Sequence, residues 1–214
     1  MDNGMKVFVL SDGRELQDNI CSTLEEMGIE ISDVISESIE EKSLKDADVL
    51  VSVCYHSKIN KNILSKYPLC INFHPAPLPE YKGFAVYNFG LYNEESRWGV
   101  TAHHMTDDID CGDIIEVSYF NIEKETVNSL KQKSHLELIS LFEKTIKKIK
   151  EGITLPRKEN IGGTNYTRKM FDEFREINTS MSSCEVNKRI HSFHCPPHSG
   201  AFIIIDDTKY YFNS

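Results

Sequence analysis

The chain has 214 residues, of which 40% are hydrophobic, and a formal net charge of −9 at pH 7. This length suits one main domain with a smaller appendage, and the acidic balance argues against a nucleic-acid partner held through its phosphates. The six cysteines form no CxxC pair, we see no signal peptide, and no apolar run approaches the roughly 20 residues that span a bilayer. We therefore expect a cytoplasmic protein that binds neither nucleic acid nor membranes.

Short apolar runs alternate with amphipathic segments along the first 150 residues. Lys6–Leu10 predicts a buried strand, and the helix that follows has an apolar residue every three or four positions until Gly28. Nearly continuous apolar runs over 48–54 and 69–73 are typical of parallel strands covered on both faces. Later elements are strands over 100–105 and 114–120 and a long helix over about 127–150 that Gly152 ends. This alternation predicts an α/β fold with a wound, mostly parallel sheet.

The pattern changes after about Gly163. A polar stretch leads to a short helix that a capping box, Ser182-x-x-Glu185, would open. Two strands, 201–205 and 209–212, then form a hairpin around the turn residues 206–208. We predict a main domain over 1–163 and a small C-terminal α/β appendage over 164–214.

Asn72 and His74 lie two residues apart, where the strand over 69–73 stops. Residues i and i+2 of a strand point to the same face, so an amide and an imidazole face one space. The prolines at 75, 77 and 79 prevent both the continuation of the strand and the start of a helix, so an irregular backbone borders that space. The turn-rich segment 107–113 follows a later strand and supplies carboxylates, among them Asp110.

Each of these residues also has a structural interpretation. Asn72 can satisfy backbone groups at a strand end, a single strand histidine is more often structural than catalytic, and Asp110 can cap a turn. Their occurrence together, in one order along the chain, favours catalysis.

In that order the residues resemble the 10-formyltetrahydrofolate-dependent formyltransferase family. Four blocks carry the resemblance: Asn72-Phe73-His74-Pro75, Leu78-Pro79-x-Tyr81-x-Gly83, Gly99-Val100-Thr101-x-His103 and Asp110-x-Gly112-x-Ile114-Ile115. Further segments at 81–88, 189–193, 196–197 and 200–202 favour the branch that formylates amino sugars carried on a nucleotide. The resemblance implies a Rossmann-like core and 10-formyltetrahydrofolate as formyl donor.

The resemblance also implies catalytic roles. Asn72 and the imidazolium of His74 are expected to stabilise the oxyanion that forms when an amine attacks the formyl carbon. Asp110 is expected to orient His74 and receive the amine proton, directly or through a water. His103 is expected to brace Asp110.

Two further groups of residues follow from the family. The pterin head of the formyl donor is expected between two loops, one after the strand over 48–54 and one before Asp110. In the first of these loops this chain has Lys58-Ile59-Asn60 where the family often has Ile-Leu-Pro. The residues expected at the donor are Tyr55, Ser57, Lys58, Ile59, Asp107 and Asp108. The acceptor is expected at Ser11, Gly13, Tyr81, Lys82 and Gly83, with Lys82 facing a phosphate and the loop 11–13 offering backbone N–H groups at a helix start. Tyr55 and Ile59 can equally close the sheet edge, and Lys82 can be solvated.

Several alternatives stay open. His191, His194, Cys195 and His198 are of the types that bind zinc, and His103-His104 with Asp107 and Asp108 suggest a metal hydrolase, although we predict no metal. A non-enzymatic nucleotide-binding module is a third alternative. Within the family, the acceptor could be methionyl-tRNA, a carrier-bound amino acid or glycinamide ribonucleotide. We favour a UDP- or dTDP-linked amino-deoxy sugar destined for a surface glycan such as lipopolysaccharide, in an enzyme for which a homodimer is one option.

Overall fold

The computed structural model describes residues 4–40 and 44–212. Within them the strands are β1 (Lys6–Ser11), β2 (Glu30–Ile35), β3 (Val49–Val53), β4 (Leu69–His74), β5 (Tyr81–Gly83), β6 (Arg97–His104), β7 (Ile114–Asn121), β8 (Thr164–Tyr166), β9 (Glu176–Ile177), β10 (Phe202–Ile205) and β11 (Thr208–Tyr211). The helices are α1 (Arg14–Glu26), α2 (Lys61–Leu64), α3 (Val86–Tyr92), α4 (Val127–Lys150), α5 (Arg168–Arg175) and α6 (Ser183–Phe193).

The main sheet has six strands in the order β2-β1-β3-β4-β6-β7. The first four pair in parallel, and β6 and β7 continue the sheet as antiparallel strands. The predicted α/β fold with a wound, mostly parallel sheet is therefore confirmed. The strand at Glu30–Ile35 escaped the sequence analysis because its apolar residues alternate with acidic and hydroxyl side chains.

Helices α1 and α4 cover one face of the sheet. Their apolar stripes pack with the buried valines of β1 and β3 and with Ile71 and Phe73 of β4. Gly28 and Gly152, both with positive φ, follow the two helices as expected of residues that end them. Thr126 and Ser129 form a reciprocal capping box that fixes the start of α4.

The opposite face of β4 carries the polar residues. Because Ile71 and Phe73 point into the core under α4, the alternate residues Cys70, Asn72 and His74 point to the other side. There a second apolar cluster, which includes Phe8, Leu50 and Ile63 of α2, fills only part of the face. The end of β4 is therefore left beside an irregular wall, residues 75–80.

The C-terminal segment packs closely on the main domain. β8 pairs in parallel with β5, the Asn88 amide donates to the carbonyl of Ser192, and Phe193 shares a core with Trp98. The polar stretch after Gly163 contains helix α5, which its many charged residues concealed in the sequence. The hairpin of β10 and β11 forms as predicted, with positive φ at Asp206 and Asp207 in its turn. The boundary at 163–164 stays a prediction.

The longest helix of the described residues, α4, has 24 residues and three lysines in its last turn. Neither it nor any other helix in residues 4–40 and 44–212 is long and apolar enough to cross a membrane.

Candidate active site

The carboxylate of Asp110 is the centre of a buried polar cluster. Its Oδ1 lies 3.4 Å from Nδ1 of His74, 3.5 Å from Nδ2 of Asn72 and 3.6 Å from Nε2 of His103. Its Oδ2 accepts a hydrogen bond of 2.9 Å from the backbone N–H of Gly83. Folding therefore brings the amide, the imidazole and the carboxylate singled out in the sequence into one site.

Asp110 is ionised in this setting. Burial raises the pKa of its carboxyl, but at the low pH where this group titrates the charge of protonated His74 and the hydrogen bond from the N–H of Gly83 outweigh burial and lower the pKa to about 2. The residue has a φ of +53°, a left-handed conformation that is uncommon for an amino acid with a Cβ. This backbone turns the carboxylate back towards β4.

Both ring nitrogens of His74 are engaged. Nε2 donates to the carbonyl of Tyr81 at 2.8 Å, which leaves Nδ1 facing Asp110. Burial lowers the pKa of His74, although the Asp110 carboxylate opposes this shift. The neutral imidazole is therefore favoured. With Nε2 on the Tyr81 carbonyl and Nδ1 facing Asp110, neither ring nitrogen is free in this arrangement, and the expected role of the His74 imidazolium at an oxyanion stays a prediction.

The side chain of Asn72 is oriented by His103. Nδ1 of His103 donates to the carbonyl of His104 at 2.8 Å, so Nε2 is the acceptor of the Asn72 amide at 2.9 Å. The second hydrogen of that amide faces Asp110 over 3.5 Å, which is long for a hydrogen bond. His103 therefore holds Asn72 more directly than it braces Asp110.

Three of the residues predicted for the acceptor lie in β5, and the structure separates their roles. Gly83 has a φ of +85°, and a Cβ there would lie 2.4 Å from the carbonyl oxygen of Tyr166, so only glycine fits. Its N–H faces Asp110. The hydroxyl of Tyr81 donates to Glu95 at 2.7 Å, so this side chain is engaged within the protein, and the placement of Tyr81 at the acceptor stays a prediction.

Lys82 is buried and not solvated. Its side chain is 7% exposed, and Nζ donates to the backbone carbonyl of Asn160 at 3.3 Å. No carboxylate of residues 4–40 and 44–212 forms an ion pair with it. A buried ammonium with one neutral acceptor retains donors for an anion.

The loop after β3 divides into packed and open residues. Ile59 lies in the apolar cluster with Leu50 and Ile63, which corresponds to the alternative of closing the sheet edge. The Tyr55 hydroxyl donates to the carbonyl of Glu37 and accepts from the N–H of Ile39. Lys58 is exposed and Ser57 half-buried. The side chain of Ile59 and the hydroxyl of Tyr55 are thus engaged within the protein, and the placement of these residues at the donor stays a prediction.

A cavity of about 300 Å³ borders the start of β4 and the end of β6. Cys70, two residues before Asn72, lines it together with Leu64, Tyr67, Met105, Thr106 and Gly112. Met105 and Thr106 precede the segment 107–110, and Gly112 follows it. Asp107 and Asp108 themselves are exposed on the loop beside the cavity.

The loop after β1 lies at the carboxyl ends of the parallel strands, as His74 does. Ser11 is fully buried and its hydroxyl has no hydrogen-bond partner among the described residues. Gly13 caps α1 with a φ of +93°. Asp12 does not cap the helix, because its carboxylate accepts the N–H of His56 at 2.6 Å and pairs with the His56 imidazole.

The C-terminal histidines do not assemble into a metal site. Nε2 of His191 donates to the carbonyl of Glu125, and Sγ of Cys195 contacts the Asn128 amide oxygen. Across the part of the chain that the structure describes, no three His, Cys, Asp or Glu side chains are grouped to hold a metal ion.

One contact at the site had no signal in the sequence. Asn160, in an irregular segment without a motif, donates from Nδ2 to the carbonyls of Asp110 and Gly112, at 2.9 Å each. Only folding brings Asn160 into contact with the loop of Asp110, 50 residues earlier in the chain.

Solved structures share this fold. A 4-N formyltransferase from Francisella tularensis aligns with a TM-score of 0.85 at 20% identity, covering 97% of this chain and 96% of that one. A sugar N-formyltransferase from Shewanella sp. FDAARGOS_354 gives 0.84 at 17% identity, with 98% and 97% covered. The formyltransferase PseJ from Anoxybacillus kamchatkensis, solved with UDP-4,6-dideoxy-4-formamido-L-AltNAc and tetrahydrofolate, gives 0.69 at 21% identity, with 78% and 88% covered.

Sequence comparison identifies the family. The methionyl-tRNA formyltransferase of Pseudoalteromonas translucida is 30% identical over 151 residues, which are 69% of this chain and 47% of that protein. The chain spans about half the length of the curated relatives it matches. The formyl transferase family model matches residues 5–145, from β1 to within α4. The resemblance seen in the sequence is thus confirmed, and the chain belongs to the formyl transferase family.

Proposed function

We propose that this protein is a sugar N-formyltransferase that transfers a formyl group from 10-formyltetrahydrofolate to the amine of a nucleotide-linked amino-deoxy sugar. The observation that carries the proposal is the convergence of Asn72, His74 and ionised Asp110 in one buried cluster of a formyl transferase fold. Surface-glycan biosynthesis, with UDP or dTDP as the carrier nucleotide, is the setting that we propose for it.

The cavity at Cys70 supports binding of the donor. Its volume of about 300 Å³ and its lining by Leu64, Tyr67 and Met105 suit a flat heteroaromatic head. The backbone groups of residues 106–112 are at hand for the polar edge of that ring. When bound, the donor supplies a formyl group, and a head lying along Cys70 places that group towards Asn72, one strand repeat of about 7 Å further on.

The proton of the attacking amine is taken up by His74 and Asp110 together. With Nε2 hydrogen-bonded to Tyr81, the neutral ring presents the lone pair of Nδ1 to the carboxylate 3.4 Å away. The lone pair of Nδ1 of His74 and the carboxylate of Asp110 repel each other, and a proton between them removes that repulsion. The pair therefore takes up a proton from the amine. Asp110 stays ionised until that proton arrives.

The negative oxygen that develops on the formyl group is stabilised by Asn72. The Asn72 hydrogen that faces Asp110 over 3.5 Å is the one that a closer, negative oxygen can attract. Its other hydrogen stays on His103 and keeps the amide in place. In the proposed mechanism Asn72 is thus the hydrogen-bond donor to the oxyanion, and His74 is the base.

Lys82 supports an acceptor that carries an anion. The buried ammonium has one neutral partner, and the N–H of the adjacent Gly83 reaches Asp110, so a phosphate at Lys82 would lie near the reacting amine. Ser11 and Gly13, at the neighbouring strand end, are the further residues that we assign to the acceptor. The carboxylate of Asp12, which contacts the backbone N–H and the imidazole of His56, would repel a phosphate at Gly13.

Methionyl-tRNA is the second candidate acceptor. It is favoured by the curated relatives, which are methionyl-tRNA formyltransferases with identities of 27–30%. The sugar acceptor is supported by the fold likeness to the Francisella and Shewanella structures, which extends over the C-terminal segment that the family model leaves out. The net charge of −9 also disfavours tRNA.

The test is an acceptor panel. The protein is incubated with 10-formyltetrahydrofolate and UDP- or dTDP-linked amino sugars, or with methionyl-tRNA, and each acceptor is analysed by mass spectrometry. We expect a mass gain of one formyl group on an amino-sugar nucleotide. A gain on methionyl-tRNA alone would replace the proposed acceptor, and no gain on any amine would refute formyl transfer to these substrates.

A further inference from the structure

The segment Pro156–Asn160, called the strap here, crosses the two strands that flank the catalytic loop. Lys158 and Ile114 exchange two backbone hydrogen bonds, of 2.8 and 3.0 Å. The carbonyl of Pro156 accepts from Nε2 of His104 at 3.1 Å. The strap is therefore fixed at the end of β6 and at the start of β7, on both sides of the loop that contains Asp110.

Asn160 stands at the end of this strap and holds the loop from its backbone side. Its Nδ2 uses both hydrogens, one for the carbonyl of Asp110 and one for that of Gly112. Its Oδ1 is buried without a hydrogen-bond partner among the described residues. Both hydrogens of the Asn160 amide are thus used by the loop.

The loop requires such support. Asp110 has a positive φ, and a Cβ at Gly112 would lie 1.8 Å from the carbonyl oxygen of His104, so the loop is tightly turned and pressed against β6. Residues that hold uncommon backbone conformations persist where their surroundings determine them. Asn160 bonds the carbonyl of the residue with positive φ and the carbonyl two positions on.

The same residue connects the loop to β5. The carbonyl of Asn160 accepts from Nζ of Lys82, and the N–H of the adjacent Gly83 donates to Oδ2 of Asp110. A ring of contacts thus runs from the Asp110 carboxylate through Gly83 and Lys82 to Asn160 and back to the Asp110 carbonyl. The carboxylate and the backbone of Asp110 are held from opposite sides.

We propose that Asn160 is a positioning residue that holds the backbone of Asp110 so that its carboxylate reaches His74 and the N–H of Gly83. The inference rests on the proposed function for its catalytic meaning. The hydrogen bonds from Asn160 to the loop of Asp110 can be tested without any substrate.

The test compares Asn160→Ala with Arg157→Ala, which changes the same strap and removes an exposed ion pair to Asp113, but leaves the two bonds from Asn160 in place. Amide hydrogen exchange is followed by NMR at two positions. Exchange at Gly83 measures the hydrogen bond from its N–H to the Asp110 carboxylate, and exchange at Ile114 measures the hydrogen bond from its N–H to the carbonyl of Lys158 in the strap. We expect Asn160→Ala to speed exchange at Gly83 by about tenfold or more and to leave Ile114 within about threefold, while Arg157→Ala changes neither. Equal acceleration at both amides would mean a merely structural role, and unchanged exchange at Gly83 would equally overturn the proposal.

A kinetic arm examines the consequence for catalysis. With an amino-sugar nucleotide that the wild type formylates, Asn160→Ala should lower kcat by about tenfold or more and leave KM for the formyl donor within about threefold. An unchanged kcat would overturn the catalytic meaning of the contact. If the wild type formylates no acceptor, the proposed function fails and the exchange data still decide on the contact. If Asn160→Ala does not fold, Asn160→Ser is measured in the same way.

Discussion

Protonation of Asp110 should destabilise the fold as the pH falls, and the size of the effect follows from its surroundings. The pKa of Asp110 in the folded protein is about 2, against an ordinary value of 3.8. Because the unfolded chain takes up this proton first, the stabilisation is complete above the ordinary pKa and is lost as the pH falls towards 2. The whole difference corresponds to about 2 kcal/mol, of which about 1 kcal/mol is lost between pH 6 and pH 3.

The perturbation is Asp110→Asn, which has a similar shape and does not titrate. The free energy of unfolding is measured by urea denaturation at pH 6, 4 and 3 for the wild type, for Asp110→Asn and for Asp107→Asn. Asp107 is the matched control, because it lies exposed in the same loop. The contribution of His74 is subtracted, and its titration is followed by NMR in each protein, because burial lowers the pKa of His74 and the Asp110 carboxylate raises it. Between pH 6 and pH 3, after this subtraction, we expect the wild type and Asp107→Asn to lose about 1 kcal/mol more than Asp110→Asn.

Parallel losses in the wild type and Asp110→Asn would refute the reasoning. They would mean that the carboxylate is not stabilised by protonated His74 and the N–H of Gly83 in the folded protein. A smaller loss in Asp107→Asn than in the wild type would place the titrating group elsewhere in the loop.

Four further outcomes are expected. Asn72→Ala should lower kcat by about 10²–10³-fold, and a change below about fivefold in steady-state assays would contradict its role as oxyanion donor. Gly83→Ala should lower both kcat and the melting temperature, because its Cβ would meet the carbonyl of Tyr166; normal values of both would contradict the close contact. Lys82→Met should raise KM for the acceptor by about tenfold with KM for the donor unchanged, and an unchanged acceptor KM would remove Lys82 from the acceptor site. The pH profile of kcat/KM should fall on the acidic side with its limb below pH 6.5, because burial lowers the pKa of His74, and a limb above pH 6.5 would contradict the neutral imidazole.

The position of the site was predictable because it depends on local geometry. The two-residue spacing of Asn72 and His74 sets their common face, and the alternation with Ile71 and Phe73 sets which face is buried. The glycine ends of α1 and α4 and the turn of the C-terminal hairpin are likewise properties of a few adjacent residues.

What the sequence could not provide are contacts between distant segments. The direction of the Tyr81 ring depends on Glu95 and Trp98, and the protonation of His74 depends on a carbonyl seven residues away and on its burial. The bond from Gly83 to Asp110 exists only after β5 reaches the catalytic loop. Helix α5 was hidden because its charged residues mask the aromatic side chains that pack against Phe193.

The most direct test of the account is the single-turnover rate of formyl transfer by Asp110→Asn. The variant keeps the shape of the side chain and removes the carboxylate that shares the amine proton with His74. With 10-formyltetrahydrofolate and a wild-type acceptor, we expect the rate to fall by at least about 10²-fold while the far-UV circular dichroism spectrum is unchanged. A rate within about threefold of the wild type would contradict the proposed role of Asp110 and, with it, the mechanism.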